Sequence, residues 1–349
     1  MKTVFIGMSG GVDSSAAALL LLRQGYAVVG VTLRLRDGRL AATAEAAGRD
    51  IADAARVCAV LGIEHRVLDL TDDFLRLVVD PFVGDYLSGR TPNPCVLCNR
   101  VIKFEGLLNY ALANGGDLIA TGHYAKTAYD PVSDLRQLFR TDSKKDQSYF
   151  LWRLTQHQLA YTLFPLAGME KADIRRLARE GGLPVAEKSD SMETCFVPKT
   201  GHAAFIADYL QRKPVPGPFI DAAGNVLGEH RGIEFYTVGQ RKGLGGFGRP
   251  LYVTRIDTEH NTVVLGEEGS QFSLSLTARD ANYISISPPT EPFEAEMKIR
   301  YQAAPVKALV SPAADGFTAA FEMPQRSVAP GQSAVLYKGD LLLGGGVIM

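Results

Sequence analysis

The chain has 349 residues, 46% of them apolar, with 37 Lys and Arg against 38 Asp and Glu for a net charge of -1. Charge is balanced along its length (24 basic and 23 acidic residues in 1–200, 7 and 8 in 201–270, 6 and 7 in 271–349), which excludes a polybasic arm but not a local basic patch. The longest apolar run, Ser15–Leu22, is far short of the ~20 residues that cross a bilayer, the start MKTVFIGMSGG lacks a secretion-signal pattern, and four cysteines are too few for a disulfide scaffold. A cytoplasmic protein with reduced thiols and no membrane segment is expected. In chain order, Thr3–Gly7 reads as a buried strand, followed by a Gly/Ser loop and a helix over about Ser14–Arg23. Ala27–Leu33 is a second strand, about Asp50–Leu61 a helix closed by Gly62, Glu64–Leu68 a third strand and Asp117–Gly122 a fourth. This alternation predicts an α/β parallel sheet covered on both faces, running to about residue 200 and including a helix over Lys171–Glu180. From Pro214 the pattern becomes turn-rich with short alternating segments, predicting a small β-rich central domain followed by a C-terminal β-barrel. The expected domains are 1–200, 201–270 and 271–349.

The loop Ser9-Gly10-Gly11-Val12-Asp13-Ser14-Ser15 stands between the first strand and the first helix. There, glycines let backbone N–H groups approach a phosphate, and a helix N-terminus favours negative charge. The loop is not a Walker loop, because no Gly-Lys-Ser/Thr follows, and its glycines do not fall in the G-x-G-x-x-G spacing. The second constellation is Thr91-Pro92-Asn93-Pro94-Cys95-Val96-Leu97-Cys98-Asn99-Arg100, with Cys195 far downstream in Cys195-Phe196-Val197-Pro198. Two prolines hold the approach extended and present the cysteines at a loop-to-helix junction, where a thiol can acquire a lowered pKa and become nucleophilic. Cys58, among apolar helix positions, reads as a core thiol. No second cysteine pair or His-x-x-x-His lies near Cys95 and Cys98 to complete a zinc site.

The SGGVDSS loop resembles that of the pyrophosphate-loop ATP pyrophosphatases. The whole chain resembles one family among them, the tRNA 2-thiouridylases. The likeness runs through GMSGGVDSS (Gly7–Ser15), GRTPNP and CN (within Gly89–Asn99), ATGHY (Ala120–Tyr124), KDQSYFL (Lys145–Leu151), CFVP (Cys195–Pro198), TVGQRKGLG (Thr237–Gly245), Arg300-Tyr301 and PGQSAV (Pro330–Val335). The resemblance implies ATP-dependent thiolation of the tRNA wobble uridine. The C2 oxygen is adenylated, AMP becomes the leaving group, and sulfur arrives from a cysteine persulfide. It implies that Gly7, Met8, Ser9, Gly10, Gly11, Val12, Asp13, Ser14, Leu33 and Gly122 hold ATP, with Asp13 ordering Mg2+ or the triphosphate. Cys195 would carry the persulfide, and Cys98 would attack it, freeing sulfide or leaving a Cys98–Cys195 disulfide. Asn93, Pro94 and Cys95 would meet the target base, and His123, Lys145, Asp146, Gln147, Arg300, Tyr301 and Gln332 the rest of the tRNA. The implied partners are tRNA and a sulfur-relay protein or cysteine desulfurase.

Two positions depart from the family pattern: Cys95 stands where many members have Asp, and Leu33 where Met is frequent. Cys95, Cys98 and Cys195 together could instead ligate a [4Fe–4S] cluster. Two other readings remain open at this point. One is the same nucleotide chemistry with an amide-forming acceptor, which leaves the distant cysteines unexplained. The other is an RNA-binding module with a relic nucleotide loop.

Overall fold

The computed structural model describes residues 1–189 and 194–349; residues 190–193 of the expected first domain lie outside the described residues. The N-terminal elements are β1 (Thr3–Gly7), α1 (Val12–Arg23), β2 (Ala27–Arg34), α2 (Ala41–Leu61) and β3 (Glu64–Asp69). Helix α2 begins well before the expected Asp50, because the Ala-rich segment ahead of it is a good helix former. It ends at Gly62, whose φ of 66° supplies a left-handed cap. The further strands of this half are β4 (Leu118–Ala120), β5 (Lys126–Asp130), β6 (Leu135–Phe139) and β7 (Thr162–Leu163). Among the described residues one sheet has the order β3-β2-β1-β4-β7. All of its pairings are parallel, as the strand–helix alternation predicts. After β3 the chain crosses from one side of β1 to the other, so the switch point lies at the carboxyl ends of β1 and β4, where such sheets bind ligands.

The second half contains β8 (Gly217–Ile220), β9 (Val226–His230), β10 (Tyr252–Asp257) and β11 (Thr262–Gly266), paired in the order β10-β11-β8-β9. A helix over His202–Tyr209, unforeseen in the turn-rich reading, precedes them. The remaining strands are β12 (Phe272–Asn282), β13 (Phe293–Lys298), β14 (Val306–Ala313), β15 (Gly316–Arg326), β16 (Ser333–Lys338) and β17 (Leu341–Ile348). They close into a barrel, since β12 pairs with β15 on one side and β17 on the other. The antiparallel hairpin β5–β6 leaves the N-terminal half and joins this barrel through β17. The parallel sheet stands as expected, and the hairpin is an addition to it: Lys126–Phe139 alternates and has an exposed face, which suits an antiparallel edge rather than a buried parallel strand.

The segment after β6 seals the junction. Tyr149 and Trp152 are fully buried, and both reach β16: Tyr149 Oη donates to the Ser333 carbonyl at 3.0 Å and Trp152 Nε1 to Ser333 Oγ at 3.0 Å. Gly345 of β17 makes the approach possible, because a Cβ there would stand 2.9 Å from the Trp152 ring. Trp152→Ala removes this wedge and is expected to cost about 3–5 kcal/mol of stability in urea unfolding. A loss below about 1 kcal/mol would show that the junction does not depend on it.

Candidate active site

The loop after β1 is folded on itself by its serines. Ser9 N donates to Ser14 Oγ at 3.2 Å, and the Ser14 and Ser15 hydroxyls both donate to the Gly11 carbonyl, at 3.2 and 2.8 Å. Gly11 caps α1 in an extended conformation without a side-chain bond, leaving the first-turn N–H groups directed out of the helix. Gly10 has φ of 71°, and a Cβ on it would lie 2.4 Å from the Asp50 carbonyl oxygen. Gly122, beyond β4, is excluded from bearing a side chain for another reason: a Cβ would lie 2.7 Å from Ser14 N. The backbone after β4 thus packs directly on the start of α1. Asp13 accepts from Lys171 Nζ at 2.7 and 2.8 Å and from Tyr124 Oη at 2.7 Å. With both oxygens engaged by an ammonium, this carboxylate is a poor fit for Mg2+; it holds Lys171 in place instead.

The cysteine loop is held by two distant parts of the chain at once. Thr91 N donates to the Pro330 carbonyl at 2.7 Å, Thr91 Oγ1 donates to Thr237 Oγ1 at 3.0 Å, and Gln332 Nε2 donates to the Thr91 carbonyl at 2.8 Å. Pro94 opens a short helix, Pro94–Cys98, which runs into a π-helical turn over Asn99–Phe104. Cys95 and Cys98 share a face by their three-residue spacing. The wider π turn, bonded from i to i+5, brings Lys103 onto the same side as Cys98. Burial pushes the Cys98 thiol up to about 12, against the pull of Lys103, and pushes Cys95 up as well. The expectation of thiols activated by a lowered pKa at this junction is therefore corrected: they sit inside rather than at the surface, and desolvation outweighs the nearby charge. Burial would lower the Lys103 ammonium, but Cys98, Cys95 and Cys195 more than offset it, and the net shift is upward. Burial, then repulsion from Lys103, pushes His123 down to about 3, so it is a neutral imidazole. Its Nδ1 is 2.8 Å from Thr121 Oγ1.

These loops open onto one cavity of about 1290 Å³. Gly7, Met8, Ser9, Gly11, Val12, Asp13, Ser14, Leu33 and Gly122 line it. So do Asn93, Pro94, Cys95, Cys98, His123, Lys145, Asp146, Gln147, Cys195, Tyr301 and Gln332. Gly10 and Arg300 are not on its wall. Gly10 is buried beneath the loop, and Arg300 donates to the Ser327 carbonyl at 2.6 Å. Cys98 is buried and Cys195 exposed, and all four cysteines are free thiols. Cys58 is a core thiol as expected, its pKa pushed up to about 11 by burial. Eight Lys and Arg line the cavity against five Asp, so a locally positive surface exists on a neutral chain.

Several side chains of the KDQSYFL segment are committed internally. Asp146 accepts from Thr141 N at 2.9 Å and from the Ser148 hydroxyl at 2.7 Å, and Gln147 Oε1 accepts from Tyr124 N at 3.2 Å. Lys103, Lys188 and Lys298 reach the cavity without having been singled out in the sequence. Phe150 packs against Tyr301 with ring centroids 4.6 Å apart, an aromatic surface in the cavity wall. Among the described residues no group of three or more His, Cys, Asp or Glu side chains is arranged to hold a metal ion. Cys95, Cys98 and Cys195 line the same cavity and act on one another electrostatically. No helix among the described residues is long and apolar enough to cross a membrane.

Because only thiolate is alkylated, modification of Cys98 should rise about tenfold per pH unit from pH 7 to 10 without a plateau. Lys103→Met should slow it at every pH in that range. Mass spectrometry of each cysteine checks both, and a plateau below pH 9 would contradict the burial argument.

Residues 2–199 match the family model described as the tRNA methyl transferase HUP domain, 203–267 its PRC-barrel domain, and 273–348 the aminomethyltransferase beta-barrel domain. The chain is 48% identical to the tRNA-specific 2-thiouridylase MnmA of Heliobacterium modesticaldum, over 100% of this chain and 92% of that one. It is 47% identical to that of Acetivibrio thermocellus over 99% of each. A solved 4-thiouridine synthetase–RNA complex with bound ATP is similar over 60% of this chain and 50% of that chain, with 20% identity and a TM-score of 0.39, too low to carry an argument. On the strength of its full-length relatives, the chain belongs to the tRNA-specific 2-thiouridylase family.

Proposed function

We propose that the protein is a tRNA-uridine 2-sulfurtransferase, using ATP to replace the C2 oxygen of the wobble uridine with sulfur. The observation that carries this reading is that the pyrophosphate loop, the Asn93–Cys98 loop and Cys195 line one cavity. A uridine C2 carbonyl is a weak electrophile and oxide a poor leaving group, so sulfur cannot displace it unaided. The C2 oxygen attacks the α-phosphorus of ATP at the Ser9–Ser14 loop and pyrophosphate departs. The terminal sulfur of a Cys195 persulfide then attacks C2 and AMP leaves with the original oxygen. Cys98 attacks Cys195 Sγ, breaking the S–S bond, so that the sulfur stays on the base and a Cys98–Cys195 disulfide forms. An external thiol reductant resets the pair, and a persulfide-donating protein, a sulfur-relay protein or cysteine desulfurase, reloads Cys195. Burial keeps the Cys98 thiol protonated even beside Lys103, which supports this order because Cys98 then does not attack Cys195 before the sulfur has reached the base.

The family models are described in terms of methyl transfer, whereas the relatives are 2-thiouridylases. Two distant cysteines converging beside a nucleotide loop suit sulfur transfer and have no part in methyl transfer or amide formation. Asn93, Pro94 and Cys95 meet the extruded base, with Cys95 contributing a thiol rather than a carboxylate. Phe150 and Tyr301 offer stacking, while Lys145, His123, Gln332 and the basic rim meet the anticodon loop. Asp146 and Gln147 act by shaping that loop, and Arg300 from behind Tyr301. Residues 1–200 carry the chemistry, and 201–270 with 271–349 brace the cysteine loop and the RNA. Magnesium is assigned to the triphosphate rather than to Asp13, and no step runs through a metal cluster. A cytoplasmic setting fits thiols that must be reduced at each turnover.

Incubation with unmodified tRNA, ATP, magnesium and a persulfide donor should yield 2-thiouridine and AMP in equal amounts by mass analysis of digested tRNA. Cys195→Ser should reduce both thiouridine and donor-derived sulfur on the protein to background. Thiouridine missing with competent tRNA, or AMP formation that ignores tRNA and survives Cys195→Ser, would overturn the reading in favour of another acceptor.

A further inference from the structure

Between the nucleotide loop and the cysteine that faces it lies a continuous chain of charged contacts that the chemistry above does not use. Arg36, just past β2, donates from Nη1 to the backbone carbonyl of Cys195 at 2.6 Å and from Nη2 to Asp50 Oδ2 at 3.3 Å. The other oxygen of Asp50 accepts from Lys188 Nζ at 3.0 Å, and the same ammonium donates to the Gly10 carbonyl at 3.0 Å and to Asp53 Oδ2 at 2.6 Å. Asp50 also touches the nucleotide loop directly, since its carbonyl oxygen occupies the space a Cβ on Gly10 would need. Arg36 is held firmly, with only 12% of its side chain exposed. Arg36, Asp50, Lys188 and Cys195 all border the cavity.

We propose that Asp50 is a positioning residue that ties occupancy of the pyrophosphate loop to the placement of Cys195, through Lys188 on one side and Arg36 on the other. A triphosphate at the loop competes with Asp50 for the Lys188 ammonium. Released from one cation, the Asp50 carboxylate strengthens its hold on Arg36, whose second nitrogen carries the Cys195 carbonyl. The Cys195 thiol, exposed at the cavity wall, is thereby held inward and less open to solvent when the nucleotide is in place. The arrangement makes chemical sense: sulfur presented before adenylation meets an unreactive carbonyl and is open to loss. The inference rests on the reading of the loop as an ATP site and of Cys195 as the sulfur carrier.

Its test is alkylation of Cys195, followed by mass spectrometry in the full chain, with and without a saturating ATP analogue bearing a methylene between the α and β phosphorus atoms. Calorimetry measures the analogue's binding to each variant. In the unmodified sequence the analogue should slow alkylation about fivefold or more, the usual lower range for coupled sites. Capping Cys195 should in turn lower the analogue's affinity, by a factor that need not equal the change in alkylation rate, because reciprocity links binding free energies and not rates. Asp50→Asn should abolish both effects at saturating analogue. Arg36→Lys, which keeps the charge but cannot bridge Asp50 and the Cys195 carbonyl with one nitrogen, should do so as well. Simple shielding by the nucleotide would survive both substitutions, and that result overturns the proposal, as would bound analogue with no effect on Cys195. Failure of the analogue to bind would overturn the nucleotide reading itself, and the coupling with it.

Discussion

The hydrogen bonds around Thr91 are the constraint on which the site depends. A single residue at the root of the cysteine loop is gripped by Pro330 and Gln332 from the barrel and by Thr237 from the central segment. Each bond is individually modest, about 1 kcal/mol. Together they set where Asn93, Cys95 and Cys98 stand relative to a nucleotide loop that belongs to the parallel sheet. The buried Tyr149 and Trp152 fasten the same sheet to β16 from the other side. The cavity is therefore a property of the assembled chain, and its walls come from residues as far apart as Gly7 and Gln332.

Electrostatics follows from that assembly. A chain of net charge -1 cannot attract RNA as a whole, yet its basic side chains are gathered where the loops converge. Lys103 is the sharpest case, sharing a partly closed space with three thiols and a histidine. It raises no bulk charge, but it opposes the burial that keeps Cys98 protonated and reinforces the burial that keeps His123 neutral. A neutral His123 can hydrogen-bond to RNA but cannot pair with a phosphate as a cation.

Much of this was legible in the residues. Short apolar strands punctuated by helices specify a parallel sheet by their period alone, and the glycines of Ser9–Ser14 mark a tight turn between strand and helix at the edge of the cavity. The hairpin β5–β6 was not legible, because nothing local says that Lys126–Phe139 pairs with a strand two hundred residues later. The thiol pKa values were misjudged for a related reason: a Pro-flanked loop before a helix looks exposed until distant segments close over it. Lys103 was hidden by an ordinary helical context, since only the π turn swings it toward Cys98. Lys188, Asp50 and Arg36 carry no motif at all, and only their distances reveal them. Asp146 and Gln147 line the cavity and also bond within their own loop, a second role that a shared motif does not announce.

The central claim is that the oxygen removed from the base is the one that attacks ATP. It can be followed directly with tRNA in which uridine carries oxygen-18 at C2, supplied with unlabelled ATP, water and a persulfide donor. Each 2-thiouridine formed should be matched by one AMP bearing the labelled oxygen. Unlabelled AMP accompanying 2-thiouridine would contradict adenylation of the base and require a different route for the sulfur.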